Sequence, residues 1–166
     1  MERKRFIIRF AAMLPVGFVL IVLPSVQTHV IQPFTQWLGA ASAVLLGIVG
    51  HEVSRVGTVI ASSTFAVDVR NGCNGVEAAV ILIAAILATP ARWKKKLIGV
   101  FGGLVVLQAV NVVRISSLYL LGYYDRDLFE LFHSAVWQVL IILVAFGIFV
   151  FWSVKIASRR DFAAAS

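Results

Sequence analysis

The chain has 166 residues, of which 60% are hydrophobic and only 14% charged, with a formal net charge of +7. That balance excludes a soluble globular protein and predicts one integral membrane domain over 1–166 with no second folding unit. The basic excess sits at the ends of apolar runs, where it orients a membrane protein, so the expected partner is the lipid bilayer and not nucleic acid.

Arg3, Lys4 and Arg5 precede an apolar run from Phe6 to Leu23, which is interrupted only by Arg9, near enough to the end to snorkel. No small-x-small cleavage site follows, since the next residues are Pro24-Ser25-Val26-Gln27-Thr28, and the run reads as an uncleaved first span. Phe34 to Gly50 is a weaker, amphipathic helix of marginal length for a span. Phe34, Trp37, Leu38, Ala41, Leu45 and Ile48 fall on one face, with Thr35, Gln36, Gly39, Ser42 and Gly47 away from it. Glu52 to Arg70 is polar enough to leave the membrane. Phe65, Val67 and Val69 alternate there with Ala66, Asp68 and Arg70, which predicts a small β-hairpin with one face packed and one wet. Three further apolar runs follow: Val76 to Thr89, Leu97 to Leu121 and Phe132 to Val154. The basic cluster Arg92-Trp93-Lys94-Lys95-Lys96 separates the first two, and a polar loop from Tyr123 to Leu131 the last two. The expected fold class is an all-α polytopic membrane protein. It has about four transmembrane helices, one half-embedded outer helix and a small outer β-hairpin.

Charge sets the expected orientation in the cell (inner, cytoplasmic) membrane. Arg92 to Lys96 is the strongest basic cluster in a short loop and belongs inside, as do the basic N-terminus and Lys155, Arg159 and Arg160 at the other end of the chain. Both termini inside require an even number of crossings, yet there are five helical candidates. Phe34 to Gly50, the weakest, is expected to stay on the outer side.

The stretch Val69-Arg70-Asn71-Gly72-Cys73-Asn74-Gly75-Val76-Glu77 holds the only cysteine. A single cysteine excludes an intramolecular disulfide and a multi-cysteine metal site, and His29 and His51 lack ligand spacing, so neither metal nor cofactor is expected. Asn71-Gly72 is a turn signal, which puts the thiol on a turn at the mouth of a membrane helix. Arg114 lies eighteen residues beyond Lys96, about 27 Å up a helix, near the outer edge of a hydrocarbon core of about 30 Å. His133 begins the last apolar run and arrives at the same level. A thiolate is a nucleophile that a nearby cation or imidazole favours. Histidine can act as general base and then protonate a leaving amine. Arginine can hold a developing oxyanion. Cys73, Arg114 and His133 are parts for acyl transfer, and the thiol is expected to be partly ionised near neutral pH. Glu77, one turn after Cys73, is expected to orient Arg114 or His133; Asn111, one turn before Arg114, to hold its guanidinium or bind substrate backbone; Asn74 to support the site.

Asn71-Gly72-Cys73-Asn74-Gly75, Asn111-Val112-Val113-Arg114-Ile115 and Phe132-His133 together resemble the exosortase/archaeosortase family, most closely the exosortase H group. The segment from Gly50 to Ile60 has the same look, and the likeness covers roughly residues 34–150. Asn74 stands where many members carry serine, and many members have more spans. The resemblance implies a membrane cysteine protease or transpeptidase acting on membrane-anchored proteins with a C-terminal sorting signal: a short motif, a transmembrane helix and a basic tail. It also implies Cys73 as nucleophile, with Arg114 and His133 completing the site. Two other classes fit the residues: a small proton-coupled transporter using Glu77, which would tolerate Cys73→Ala, and a non-catalytic assembly factor, which would tolerate loss of either residue.

Overall fold

The computed structural model describes residues 2–157; the predicted inner-face arginines Arg159 and Arg160 lie outside the described residues. The apolar runs become helices. α1 (Glu2–Val22) is followed by α2 (Pro24–Val26), a π-turn (Gln27–Ile31) and α3 (Gln32–Ile48). After a small sheet come α4 (Val76–Ala88), α5 (Trp93–Tyr124), α6 (Arg126–Leu131), a second π-turn (Phe132–Val136) and α7 (Trp137–Lys155). The expected polar loop from Tyr123 to Leu131 is therefore mostly helix. Asp125 alone breaks it, and its carboxylate caps α6 by accepting the N–H groups of Asp127 (2.9 Å) and Leu128 (3.0 Å).

Among the described residues, three stretches are long and apolar enough to cross a membrane: Arg3–Val22, Trp93–Tyr124 and Arg126–Lys155. The expected fourth, α4, has 13 residues. At about 20 Å it falls short of the roughly 20 residues of a full span. It packs against α1, α5 and α7.

The expected hairpin is a three-stranded antiparallel meander, β1 (Ser54–Val56), β2 (Val59–Ala61) and β3 (Ala66–Asp68), in the order β1-β2-β3. β1 is exposed along its whole length, so its sequence carries no alternation to read. The alternation in β3 holds: Val69 is buried and Phe65 and Val67 pack on the same cluster, whereas Ala66 and Arg70 are exposed.

α5, 32 residues or about 48 Å long, is the spine of the molecule. Its first half joins α4 and α7 around Leu82, Ile86, Leu107, Ile141, Ala145 and Trp152. Its second half joins α3 and the sheet around Leu38, Leu46, Ile60, Val69, Ile115 and Tyr119. The packed face of α3 is a mixed one. Thr35, Leu38, Gly39, Ser42 and Leu46 turn inward, while Trp37 and Ile48 are exposed. A helix beside lipid has no reason to hide its large apolar residues, and small or hydroxylated residues permit close, hydrogen-bonded packing.

The basic segments collect at one end. The Trp152 indole donates to the Lys95 carbonyl (2.9 Å), Lys96 donates to the Leu87 carbonyl (2.6 Å), and Phe6 stacks on Phe149 at 6.2 Å. These contacts bring Arg3–Arg9, Arg92–Lys96 and Lys155 together, with α4 and α5 leading away to the other end.

Candidate active site

At that other end, a turn between β3 and α4 presents the thiol. Gly72 (φ 86°) and Gly75 (φ 70°) take the left-handed backbone that the turn requires, while Asn71 does not. Gly75 is also the N-cap of α4, and a Cβ on it would lie 3.2 Å from the Asn111 amide, so only glycine lets α4 and α5 meet there. Cys73 N–H closes the turn on the Arg70 carbonyl (2.9 Å).

Asn74 is fully buried and holds the turn from within. Its Nδ2 donates to Thr35 Oγ1 (3.0 Å) and Asn71 Oδ1 (3.2 Å), and its Oδ1 accepts from Val76 N–H (3.2 Å). Glu77 and Arg114 grip Gly72 from its two polar sides. Glu77 Oε1 accepts the Gly72 N–H (3.1 Å), and Arg114 Nη2 donates to the Gly72 carbonyl (3.1 Å). Glu77 thus bonds the turn itself, not Arg114 or His133 as expected. Asn111 donates to Gln108 Oε1 (3.3 Å) and does not hold the Arg114 guanidinium; its own Oδ1 has no hydrogen-bond partner.

The three residues expected to converge do so. Cys73 Sγ lies 2.9 Å from His133 Nε2 and 4.0 Å from Arg114 Nη2. Arg114 is only 1% exposed, its Nε and Nη1 are buried without a hydrogen-bond partner among the described residues, and Nη2 is the donor that faces the thiol. His133 does not simply open the last span. It sits in the π-turn between α6 and α7, a local widening that re-aims a side chain out of helical phase. Its imidazole stacks on Phe129 at 5.3 Å, which fixes the ring plane.

Burial pushes the Cys73 thiol above its ordinary range; Arg114 pulls it down without cancelling that push, and Glu77 adds to the rise. This corrects the expectation of a partly ionised resting thiol. The geometry instead suits a neutral S–H paired with His133, which can take the proton as attack begins.

Over residues 5–152 the chain matches the family model of the transmembrane exosortases (Exosortase_EpsH). The chain belongs to this family. No curated protein and no solved structure matches it. Exosortases are membrane sorting peptidases or transpeptidases that work through a cysteine, and Cys73 is the single cysteine of this exosortase. Sequence reasoning missed three supports of its site. Thr35 reads as a polar residue on an outer helix, the Gly72 carbonyl carries no side-chain signal, and Phe129 falls within an expected loop. The π-turn is equally silent, although the histidine it carries is not.

Proposed function

We propose that this exosortase is a cysteine peptidase or transpeptidase that cleaves C-terminal sorting signals from exported, membrane-anchored proteins at the outer face of the cell membrane. The observation that carries the reading is the 2.9 Å approach of Cys73 Sγ to His133 Nε2, with Arg114 Nη2 4.0 Å from the same sulfur. His133 takes the thiol proton as Sγ attacks the scissile carbonyl. Arg114 stabilises the charge that develops on the carbonyl oxygen through Nη2, the guanidinium nitrogen beside the thiol. The tetrahedral species collapses, His133 returns the proton to the leaving amine, and the substrate's acyl part remains on Sγ as a thioester. Water or an amine, deprotonated by His133, then releases it.

The gathering of Arg3–Arg9, Arg92–Lys96 and Lys155 at the end away from Cys73 supports an active site facing outward, with α4 as a short fourth crossing. In a Cys73→Ala background, an impermeant thiol reagent should label Ser63→Cys and not Lys95→Cys in intact cells; the reverse would overturn the orientation.

The function is tested by co-expressing Cys73→Ala with a tagged protein that carries a short motif, apolar helix and basic tail. Loss of the C-terminal helix should stop entirely while the enzyme still accumulates in the membrane. Continued processing would sink the catalytic reading and favour the Glu77 transporter.

A further inference from the structure

The sheet order leaves one side of β3 without a partner strand. The register decides which groups lie there. Val67 opposes Ile60. On either side, Ser62 N–H donates to the Phe65 carbonyl (2.8 Å) and Val69 N–H to the Thr58 carbonyl (3.1 Å). Phe65, Val67 and Val69 therefore turn their main-chain groups toward β2. Ala66 and Asp68, out of phase by one residue, turn theirs away.

The strand that bears this edge lines the cleft at the site. Residues 65–70 line a cleft of about 290 Å³, together with Cys73, Ile115, Leu118, Phe129 and His133. Its volume lies at the small end of ligand pockets, suited to a short extended segment and not to a folded partner. An open strand edge is normally covered or blunted, because its free N–H and C=O groups invite another strand. Here it is left open beside a nucleophile. A carbonyl within a helix already accepts a hydrogen bond, whereas an extended peptide presents its carbonyls to attack. Main-chain addition to an edge also gives affinity that depends little on side chains.

We propose that the substrate segment preceding its membrane helix docks as an added strand on the free edge of β3, held by the main-chain N–H and C=O groups of Ala66 and Asp68, with its scissile carbonyl beside Cys73 Sγ. The inference rests on Cys73 being the nucleophile. Val67 and Val69 line the same cleft and pack on the core, and the edge supplies direction and register.

The test uses the purified full chain and two thiol alkylators. Acetyl-Ala-Ala-Ala-chloromethyl ketone can lie along the edge; 2-chloroacetamide is too small to use it. In each case Sγ bonds to carbon as chloride leaves, and the thiol proton passes to His133. Ala66→Pro removes an N–H that faces away from β2, a change edge strands tolerate. It should slow the peptide reagent about fivefold or more, the worth of one main-chain hydrogen bond, and leave the small reagent unchanged. On the unmutated chain, methylating the three alanine nitrogens one at a time should slow alkylation at alternate positions only. An unchanged ratio of the two rates in Ala66→Pro, or equal slowing at all three nitrogens, overturns the docking. If Ala66→Pro does not fold, the methylation series decides alone. Processing that survives Cys73→Ala strikes the nucleophile reading instead, so the two failures are distinguishable.

Discussion

The two halves of α5 are packed by different means. Toward the basic end apolar and small residues fit by shape, with the Trp152 and Lys96 hydrogen bonds to main-chain carbonyls added at the rim. Gly99 lies against the Trp152 indole, and a Cβ on Gly103 would sit 3.0 Å from Leu82 and 3.1 Å from Ile148. Toward the site polar residues are buried beside the apolar cluster: Asn111, Arg114 and Ser116 on α5, and Thr35, Ser42 and Asn74 on the segments around it. There the Ser116 hydroxyl donates to the Ser42 carbonyl (3.4 Å), and Phe65 seats on Gly122. One helix thus carries an anchor with an apolar interior and a chemical end that adds buried polar groups to its apolar cluster. In lipid, where burying apolar surface gives no drive to associate, close small-residue packing holds the first half together. The second can bury an arginine because Gly72 and the thiol face it. Substitutions at the two ends should therefore fail differently.

The largest effects should come from the site end and appear in rate, not in folding. Arg114→Lys keeps the charge and loses the planar fork, so processing should fall about a hundredfold or more. His133→Ala removes the base and should cost a similar factor, within the about 10²–10⁴ range of general acid–base catalysis. Both are read as processing rates with membrane levels and melting measured alongside. If either variant melts before it loses activity, the division between anchor and chemistry is wrong.

At the basic end the expected loss is smaller and of the other kind. Gly99→Leu forces a side chain into the Trp152 indole and should destabilise by about 1–3 kcal/mol, as overpacking does. A thermal melt in detergent would register it, and the fraction still folded should process substrate at the normal rate. A normal melt with lost activity would break the comparison from the opposite side.

How much of this was legible follows the same division. The apolar runs gave α1, α5 and α7 because length and composition decide a span. The convergence of Cys73, Arg114 and His133 was readable because rise per residue converts sequence distance into depth. Which face of α3 packs inward was not legible, because amphipathicity indicates the core only when water is the alternative; beside lipid, Trp37 faces out and Thr35 faces in. The bounds of α4 were legible, since Pro90 ends the run and Thr89 is already extended, but a run this short was counted as a full span on its apolarity alone. β1 and the π-turn at His133 left no pattern at all, being an exposed strand and a shift in helical phase. The thiol was misjudged because its neighbours can be counted in a sequence and its desolvation cannot.

The smallest effect concerns that thiol. Burial is the main cause of its raised pKa, with Arg114 opposing and Glu77 reinforcing the rise. Below the midpoint, the alkylation rate follows the thiolate fraction, so lowering the pKa speeds the reaction and raising it slows it. Glu77→Gln removes the reinforcing charge yet keeps an oxygen that can accept the Gly72 N–H. Its alkylation profile with 2-chloroacetamide should shift to lower pH, giving a modestly faster reaction at neutral pH. Arg114→Ala should shift the profile to higher pH. Processing by Glu77→Gln should persist, because the carboxylate positions the turn and moves no proton. A slower thiol in Glu77→Gln would show that the carboxylate acts by holding Gly72 in place and not by its charge. Lost processing with an unmoved thiol profile would return Glu77 to consideration as a proton site in its own right.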